Sequence, residues 1–332
     1  MIDTIRFKIP ISEEFFIIVK NKCVEFQKLD KKTSSVFFKF YTDNVSLGSF
    51  DSSVNFFIDD FNQDVIFLEL SLPKFFYGNN VYLLTNDNFN KVFDLLYTSL
   101  VSYFGDFPKL RVWEIQRLDL CYAWRFASEL QASQVLDVLR SYSYPRKKVY
   151  FYDTSIMAKG TTFTLKFYLK YPEFKKHDFS KMAHKSPSHA HDILDLSKGV
   201  LRFEITFRKK AFLNYFGKQH LFINDLDYNQ FIMILSDTMN KFLKGSVPEF
   251  QTATEIFQKL LLKYNNIRAL HLWQFYCIYY DKNLDQKKIL IENYTRQSVY
   301  LNLKALSRAG VGLPKHSELD VRLDIPSKLQ VN

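Results

Sequence analysis

Apolar and polar residues alternate over several short stretches in the first two-thirds of the chain. In residues 161–171, Phe163, Leu165, Phe167 and Leu169 share one parity, and Thr164, Lys166, Tyr168 and Lys170 the other. Successive strand side chains point to opposite faces, so this pattern predicts a half-buried strand. Three further stretches follow the same plan. Residues 65–72 set Ile66, Leu68, Leu70 and Leu72 against Glu69. Residues 111–124 set Leu118, Leu120, Tyr122 and Trp124 against Arg117 and Asp119. Residues 199–208 set Leu201, Phe203, Ile205 and Phe207 against Arg202, Glu204, Thr206 and Arg208.

Between these lie helical periods. A helix is expected over 12–26 with Ser12 as N-cap, another from Asn86 or Asp87 to about 104, stopped by Gly105 and Pro108, and a third over 128–142. Strands are expected at 2–10, 34–42, 54–59 and 147–153, with a turn at Lys159-Gly160 and a polar connecting stretch over 175–198. The order β-α-β-β-α then occurs twice, which suggests a duplicated unit, although no residue-level repeat accompanies it. From about 220 the spacing becomes helical, in 224–243, 251–263, 266–280, 285–293 and 295–309. The fold class expected is α+β, an antiparallel-rich sheet followed by a helical domain. The boundary is placed near Lys244-Gly245-Ser246-Val247-Pro248, giving domains 1–245 and 246–332.

Composition narrows the partners. A net charge of +10 and a pI near 9.2 favour a polyanion. Cys23, Cys121 and Cys277 are far apart. That spacing argues against a disulfide framework or zinc site and fits a reducing cytoplasm. No secretory signal and no membrane span is read from the sequence, so no membrane partner is expected.

If the four strands share a sheet, Glu69, Asp119 and Glu204 gather on one polar face with Arg117, Lys166, Arg202 and Tyr168. Hard carboxylate oxygens on a rigid sheet suit Mg²⁺ or Mn²⁺, which could polarise a phosphodiester. Lysines beside a tyrosine would lower its pKa and make it a nucleophile. The plainer alternative is a solvated sheet face with cross-strand ion pairs and an ordinary strand tyrosine.

The residues on these strands resemble the gene II protein family, the rolling-circle replication initiators of filamentous phages, and more distantly plasmid initiators. The resemblance runs through Met1-Ile2-Asp3, Glu69 with Pro73-Lys74, Gly78-Asn79-Asn80-Val81, Arg117-Leu118-Asp119 and Tyr168-Leu169-Lys170. It continues through Gly199-Val200-Leu201-Arg202-Phe203-Glu204, Arg208-Lys209-Lys210 and Phe216-Gly217, covering about residues 1–220. It implies a metal-dependent, origin-specific endonuclease that nicks and rejoins DNA through a 5′-phosphotyrosine. On this resemblance Tyr168 is the nucleophile, and Lys166 and Lys170 stabilise its phenolate and hold phosphate. Asp119 and Glu204, with Glu69 as a third, ligate Mg²⁺ or Mn²⁺. Arg117, Lys166, Arg202, Arg208, Lys209 and Lys210 contact DNA. The partners implied are single-stranded and supercoiled duplex DNA at a replication origin, with a host helicase and polymerase, in the cytoplasm of a bacterial host.

Many rolling-circle nucleases bind metal through a His-hydrophobic-His strand. Here the only His-x-His, His189-Ala190-His191, falls in a polar loop or helix start. His177 and His184 follow Tyr168 and could approach it. At the C-terminus, residues 285–313 read as two helices, the second with Arg296, Gln297, Asn302, Lys304 and Arg308 on its polar side. This suits a helix-turn-helix in which Arg296 and Gln297 read base edges, and equally a plain helical hairpin. Trp273, Phe275, Tyr276, Tyr279 and Tyr280 are read as core and not as a base-stacking platform. The rival functions are a nonenzymatic origin-binding initiator or repressor, a conjugative relaxase, and an RNA-binding sheet. The last would need two or three exposed aromatics on central strands, and the pattern offers mainly charges and one tyrosine.

Overall fold

A computed structural model of the protein describes residues 1–22, 24–29, 36–41, 45–49, 53–59, 63–140, 144, 147–243, 253–280 and 292–311. The strands are β1 (Ile2–Pro10), β2 (Val24–Leu29), β3 (Val36–Tyr41), β4 (Val45–Ser46), β5 (Ser53–Asp59), β6 (Val65–Ser71), β7 (Glu114–Arg125), β8 (Lys148–Tyr152), β9 (Ser155–Lys159), β10 (Phe163–Leu169) and β11 (Val200–Arg208). They form one 11-stranded sheet in the order β2-β3-β5-β6-β1-β7-β11-β10-β9-β8, with β4 beside β5. Every neighbouring pair is antiparallel. The fold is therefore α+β with an antiparallel sheet, as the alternation predicts.

Two central strands, β1 and β7, lie side by side, and in each half the chain next enters the sheet at its edge, at β2 or β8, and meanders back inward to β6 beside β1 or β11 beside β7. After each central strand and its helix come four main strands, not the two of the expected β-α-β-β-α unit.

One face of β1, β7, β11 and β10 is apolar. Ile5, Phe7, Leu118, Leu120, Leu165, Phe167, Phe203, Ile205 and Phe207 are all buried. Burying one such side chain contributes roughly 1.5–3 kcal/mol. Helix α3 (Asn86–Phe104) covers part of this face because Phe89, Val92, Phe93, Leu96, Leu100 and Phe104 fall on one stripe. Phe7 meets Phe93 at 6.5 Å and Trp113 at 5.2 Å. Helix α1 (Glu13–Asn21) starts where expected, with Ser12 Oγ accepting the Phe15 N–H at 3.2 Å.

Several expectations need correction. Helix α1 ends at Asn21, and residues 24–26 instead begin β2, where Val24 and Phe26 alternate with Glu25 and Gln27. A short helix, α2 (Leu72–Tyr77), follows β6, closed by left-handed Gly78 at φ 76°. Helix α4 is Glu129–Arg140. The polar stretch 175–198 is not a loop: α5 (Lys170–His177), α6 (Phe179–Lys185) and α7 (Pro187–Leu196) occupy it. Their buried side chains, Phe174, Met182, Ala190, Ile193 and Leu194, close on Val81. These helices and the Val81 loop cover one end of the sheet's second face. Helices α8 (Lys209–Phe216) and α9 (Tyr228–Leu243) complete the α/β part, with Phe231 of α9 meeting Phe89 of α3 at 5.8 Å.

Gly199 leads into β11 with φ +69°, and a Cβ there would lie 2.6 Å from the Phe126 carbonyl oxygen. Its N–H donates to Glu129 Oε2 at 2.7 Å. Gly199→Ala is expected to cost about 1–3 kcal/mol and lower the unfolding midpoint by roughly 2–10 °C. Calorimetry checks this, and an unchanged midpoint would contradict it.

The chain divides into two compact units, the first made mainly of Met1–Asp137 and Tyr144–Lys241, the second of Val138–Ser143 and the segment from Phe242 to Arg322. The second contains α10 (Ala253–Lys263), α11 (Asn266–Tyr280) and α12 (Arg296–Arg308). Ile256, Leu260, Leu272, Phe275, Tyr276 and Leu306 form its core, with Trp273 and Tyr279 packed against it. The expected helix 285–293 and tail 311–332 fall almost wholly outside the described residues. Among the described residues no helix is long and apolar enough to cross a membrane.

Candidate active site on the polar sheet face

The second face of β10, β11 and β7 carries the ionisable groups that alternation assigned to it. Register brings them together: Glu204 pairs with Lys166 and with Cys121, Thr206 with Asp119, and Tyr168 with Arg202. Asp119 and Glu204 therefore stand on adjacent strands of one face, and both are almost wholly buried.

Each carboxylate has a cation. Arg117 grips Asp119 with Nε at 3.0 Å and Nη2 at 2.6 Å. This two-point geometry is among the stronger protein ion pairs. Lys166 Nζ reaches Glu204 Oε1 at 2.5 Å, and the Tyr168 hydroxyl donates to Glu204 Oε2 at 3.2 Å.

Burial, helped by the Glu204 charge, pushes the Asp119 carboxyl up to about 6 against the pull of Arg117. Burial works against the Lys166 charge as well, but Glu204 more than offsets it and the ammonium is stabilised. A raised folded-state carboxyl pKa adds stability at low pH that is lost as pH rises through it. Asp119→Asn should thus gain stability relative to the wild type between about pH 4 and pH 6, by up to about 3 kcal/mol. Denaturant melts across that range test the sign, and a difference that is flat or opposite in slope would refute it.

The lysines do not do what their flanking positions suggest. Burial, with Arg202 opposing it, raises the Tyr168 phenol well above 10. Lys166 is engaged by Glu204. Lys170 is the first residue of α5, not the last of a strand, and is fully buried. Its ammonium bonds Asn80 Oδ1 at 2.7 Å and the Glu173 carboxylate. Lys170 therefore ties the 79–81 loop to α5, and the expectation that it acidifies the phenol is corrected. Arg202 is likewise fully buried, its Nη2 donating to the Val81 carbonyl at 3.2 Å. It is the cross-strand partner of Tyr168 on the same face and, fully buried, offers no surface to DNA.

Glu69 lies on β6, two strands from β7, and answers to Arg117 Nη1 at 3.6 Å and Arg6 Nη1 at 3.9 Å. Arg117 stands between it and Asp119, so Glu69 does not join the other two carboxylates. Among the described residues no group of three His, Cys, Asp or Glu side chains is assembled for a metal. The pair Asp119 and Glu204 still suits a cation. Two buried negative charges on adjacent strands repel, and a positive charge between them relieves the repulsion. Mg²⁺ commonly takes only one or two carboxylates, leaving positions for water and phosphate.

Arg208 and Lys210 are exposed beside the site, and Lys209 binds Glu114 Oε1 at 2.7 Å. His177, His184, His189 and His191 are carried by α5–α7, off the strands that hold Tyr168, Asp119 and Glu204. In the second unit, Gln297 is exposed in the first turn of α12, where Thr295 Oγ1 accepts the Ser298 N–H at 3.1 Å. The side chain of Arg296 lies outside the described residues. Asn302, read as part of the polar side, is buried, accepting a bond from Arg268 at 2.9 Å.

The family model for the N-terminal part of the replication-associated gene II protein matches residues 1–225, which contain all of this face. Comparison with curated proteins and with solved structures finds no match.

Proposed function

The chain belongs to the replication-associated gene II protein family, that of the filamentous-phage replication initiators, and we propose that it nicks and rejoins one DNA strand with Tyr168 as nucleophile. The observation that carries this reading is the hydroxyl of Tyr168 donating to Glu204 Oε2 at 3.2 Å. A nucleophile beside its proton acceptor is the arrangement that activates a weakly acidic hydroxyl. Because burial holds the phenol protonated, the proton must leave as the O–P bond forms, and Glu204 is in reach to take it.

The oxygen of Tyr168 attacks the scissile phosphorus. The bond from phosphorus to the 3′ oxygen breaks, leaving a 5′-phosphotyrosine and a 3′-hydroxyl. In rejoining, a 3′-hydroxyl attacks the phosphotyrosine and the phenol recovers its proton. Asp119 and Glu204 would hold Mg²⁺ or Mn²⁺, which when bound polarises the phosphate oxygens and offsets their growing charge. Lys166 and Arg117, both on the open side of the carboxylates, can turn to the same phosphate. Arg208 and Lys210 supply electrostatic attraction for the strand. The first unit is thus the nuclease. The helical unit, with Gln297 exposed, is proposed to aid duplex recognition at the origin, where host helicase and polymerase then act.

The test is relaxation of supercoiled DNA bearing the element's own origin. Nicked circles should form with Mn²⁺ or Mg²⁺ and vanish with a chelator. Tight origin binding without nicking in any divalent metal would instead favour a nonenzymatic initiator.

A further inference from the structure

The open sheet face does not end at the carboxylates. Across β1, β7 and β11, Arg6 pairs with Arg117 and Arg117 with Arg208, so three arginines stand in one row over adjacent strands. Like charges directly opposite each other on a sheet are destabilising. Glu69 and Asp119 offset only part of this row, and Arg208 is exposed. Such a row is matched to an anion that runs across the strands.

Beyond Arg6 the face turns aromatic. Phe57 of β5 and Phe67 of β6 are cross-strand partners, and both are partly exposed, while their neighbours Phe56, Ile66 and Leu68 are buried on the other face. The Arg6 guanidinium lies over both rings, 5.0 Å from the Phe57 centroid and 5.2 Å from the Phe67 centroid. Among the described residues its Nε has no hydrogen-bond partner, and its side chain keeps 36% of its exposure. Lys8 stands farther along β1 on the same face and pairs with Phe67 in register. Aromatic rings and guanidinium planes next to phosphate-binding cations are what unpaired bases stack on.

We propose that Phe57, Phe67 and Arg6 form a stacking platform for single-stranded DNA, from which the strand passes Arg117 and runs diagonally over Asp119 and Glu204 to Tyr168. Arg117 joins platform to site, since it contacts both Glu69 on the platform side and Asp119. The inference rests on the nicking function proposed above and adds to it the path of the strand. A single strand fits and a duplex does not, because the ring faces are usable only by unstacked bases. DNA rather than RNA follows from continuity with the nicking site.

The test uses the full chain carrying Tyr168→Phe, to prevent cleavage, and a labelled oligodeoxythymidine of about 20 nucleotides, longer than one single-strand site. Adding Phe57→Leu and Phe67→Leu keeps apolar bulk but removes the aromatic faces. It should weaken binding about tenfold or more, with the slope of log affinity against log salt unchanged. Phe57→Tyr with Phe67→Tyr should bind within about twofold of the parent. Arg6→Gln should make that slope shallower by up to about 0.7, the single-strand value per phosphate. Parent-like affinity in the leucine pair would overturn the platform and leave the nicking function standing. No binding of the oligonucleotide by the parent would remove both. Tighter binding of oligouridylate, with equal loss in the leucine pair, would overturn the assignment to DNA.

Discussion

Tyr168→Phe should abolish nicking, by about 10³-fold or more, while single-strand affinity stays within about twofold. The substitution removes one oxygen. In the fold that oxygen donates one hydrogen bond, to Glu204 Oε2 at 3.2 Å. Losing such a bond costs about 1 kcal/mol, so the sheet and its register should persist. Lys166 keeps its hold on Glu204, and the arginine row is untouched. Activity and binding should therefore separate cleanly. A phenylalanine variant that nicks at the wild-type rate would show that another group attacks the phosphate.

Glu204→Gln should be nearly as damaging, with nicking reduced about 10²–10⁴-fold, the usual range for a lost general base. Glu204 serves two neighbours at once, accepting from the Tyr168 hydroxyl and pairing with Lys166. The amide can still accept a hydrogen bond, but it cannot take the phenol's proton and would bind a divalent cation poorly. The Lys166 ammonium would also lose the charge that stabilises it. The concentration of Mn²⁺ needed for half-maximal activity should rise with the rate loss. An unchanged Mn²⁺ titration in Glu204→Gln and in Asp119→Asn would remove these carboxylates from the metal.

Much of this was legible in the pattern of residues, and the reasons for the rest are physical. Alternation located β6, β7, β10 and β11 and assigned Glu69, Asp119, Glu204 and Tyr168 to one face, since a strand's period of two is a local property. Which charge meets which depends on register between strands far apart in sequence. Lys166 neighbours Tyr168 in the chain, yet it faces Glu204, 38 residues away. Lys170 continued the alternating parity by coincidence and starts a helix. Helices α5–α7 were missed because they are short and rich in Lys and His, and their apolar side chains matter only when gathered on Val81. The platform was missed for a related reason. Phe56 and Phe57 are consecutive, so composition alone does not say which ring is outside. Pairing of Phe57 with Phe67 decides it.

The central claim is that Tyr168 becomes covalently joined to DNA. The most direct measurement is mass spectrometry of the protein after reaction with single-stranded DNA from its own origin and Mn²⁺, followed by nuclease and protease digestion. A nucleotide-bearing peptide with the modification on Tyr168 is the predicted result. A modification mapped to any other side chain, or nicked DNA with no protein attached, would contradict it.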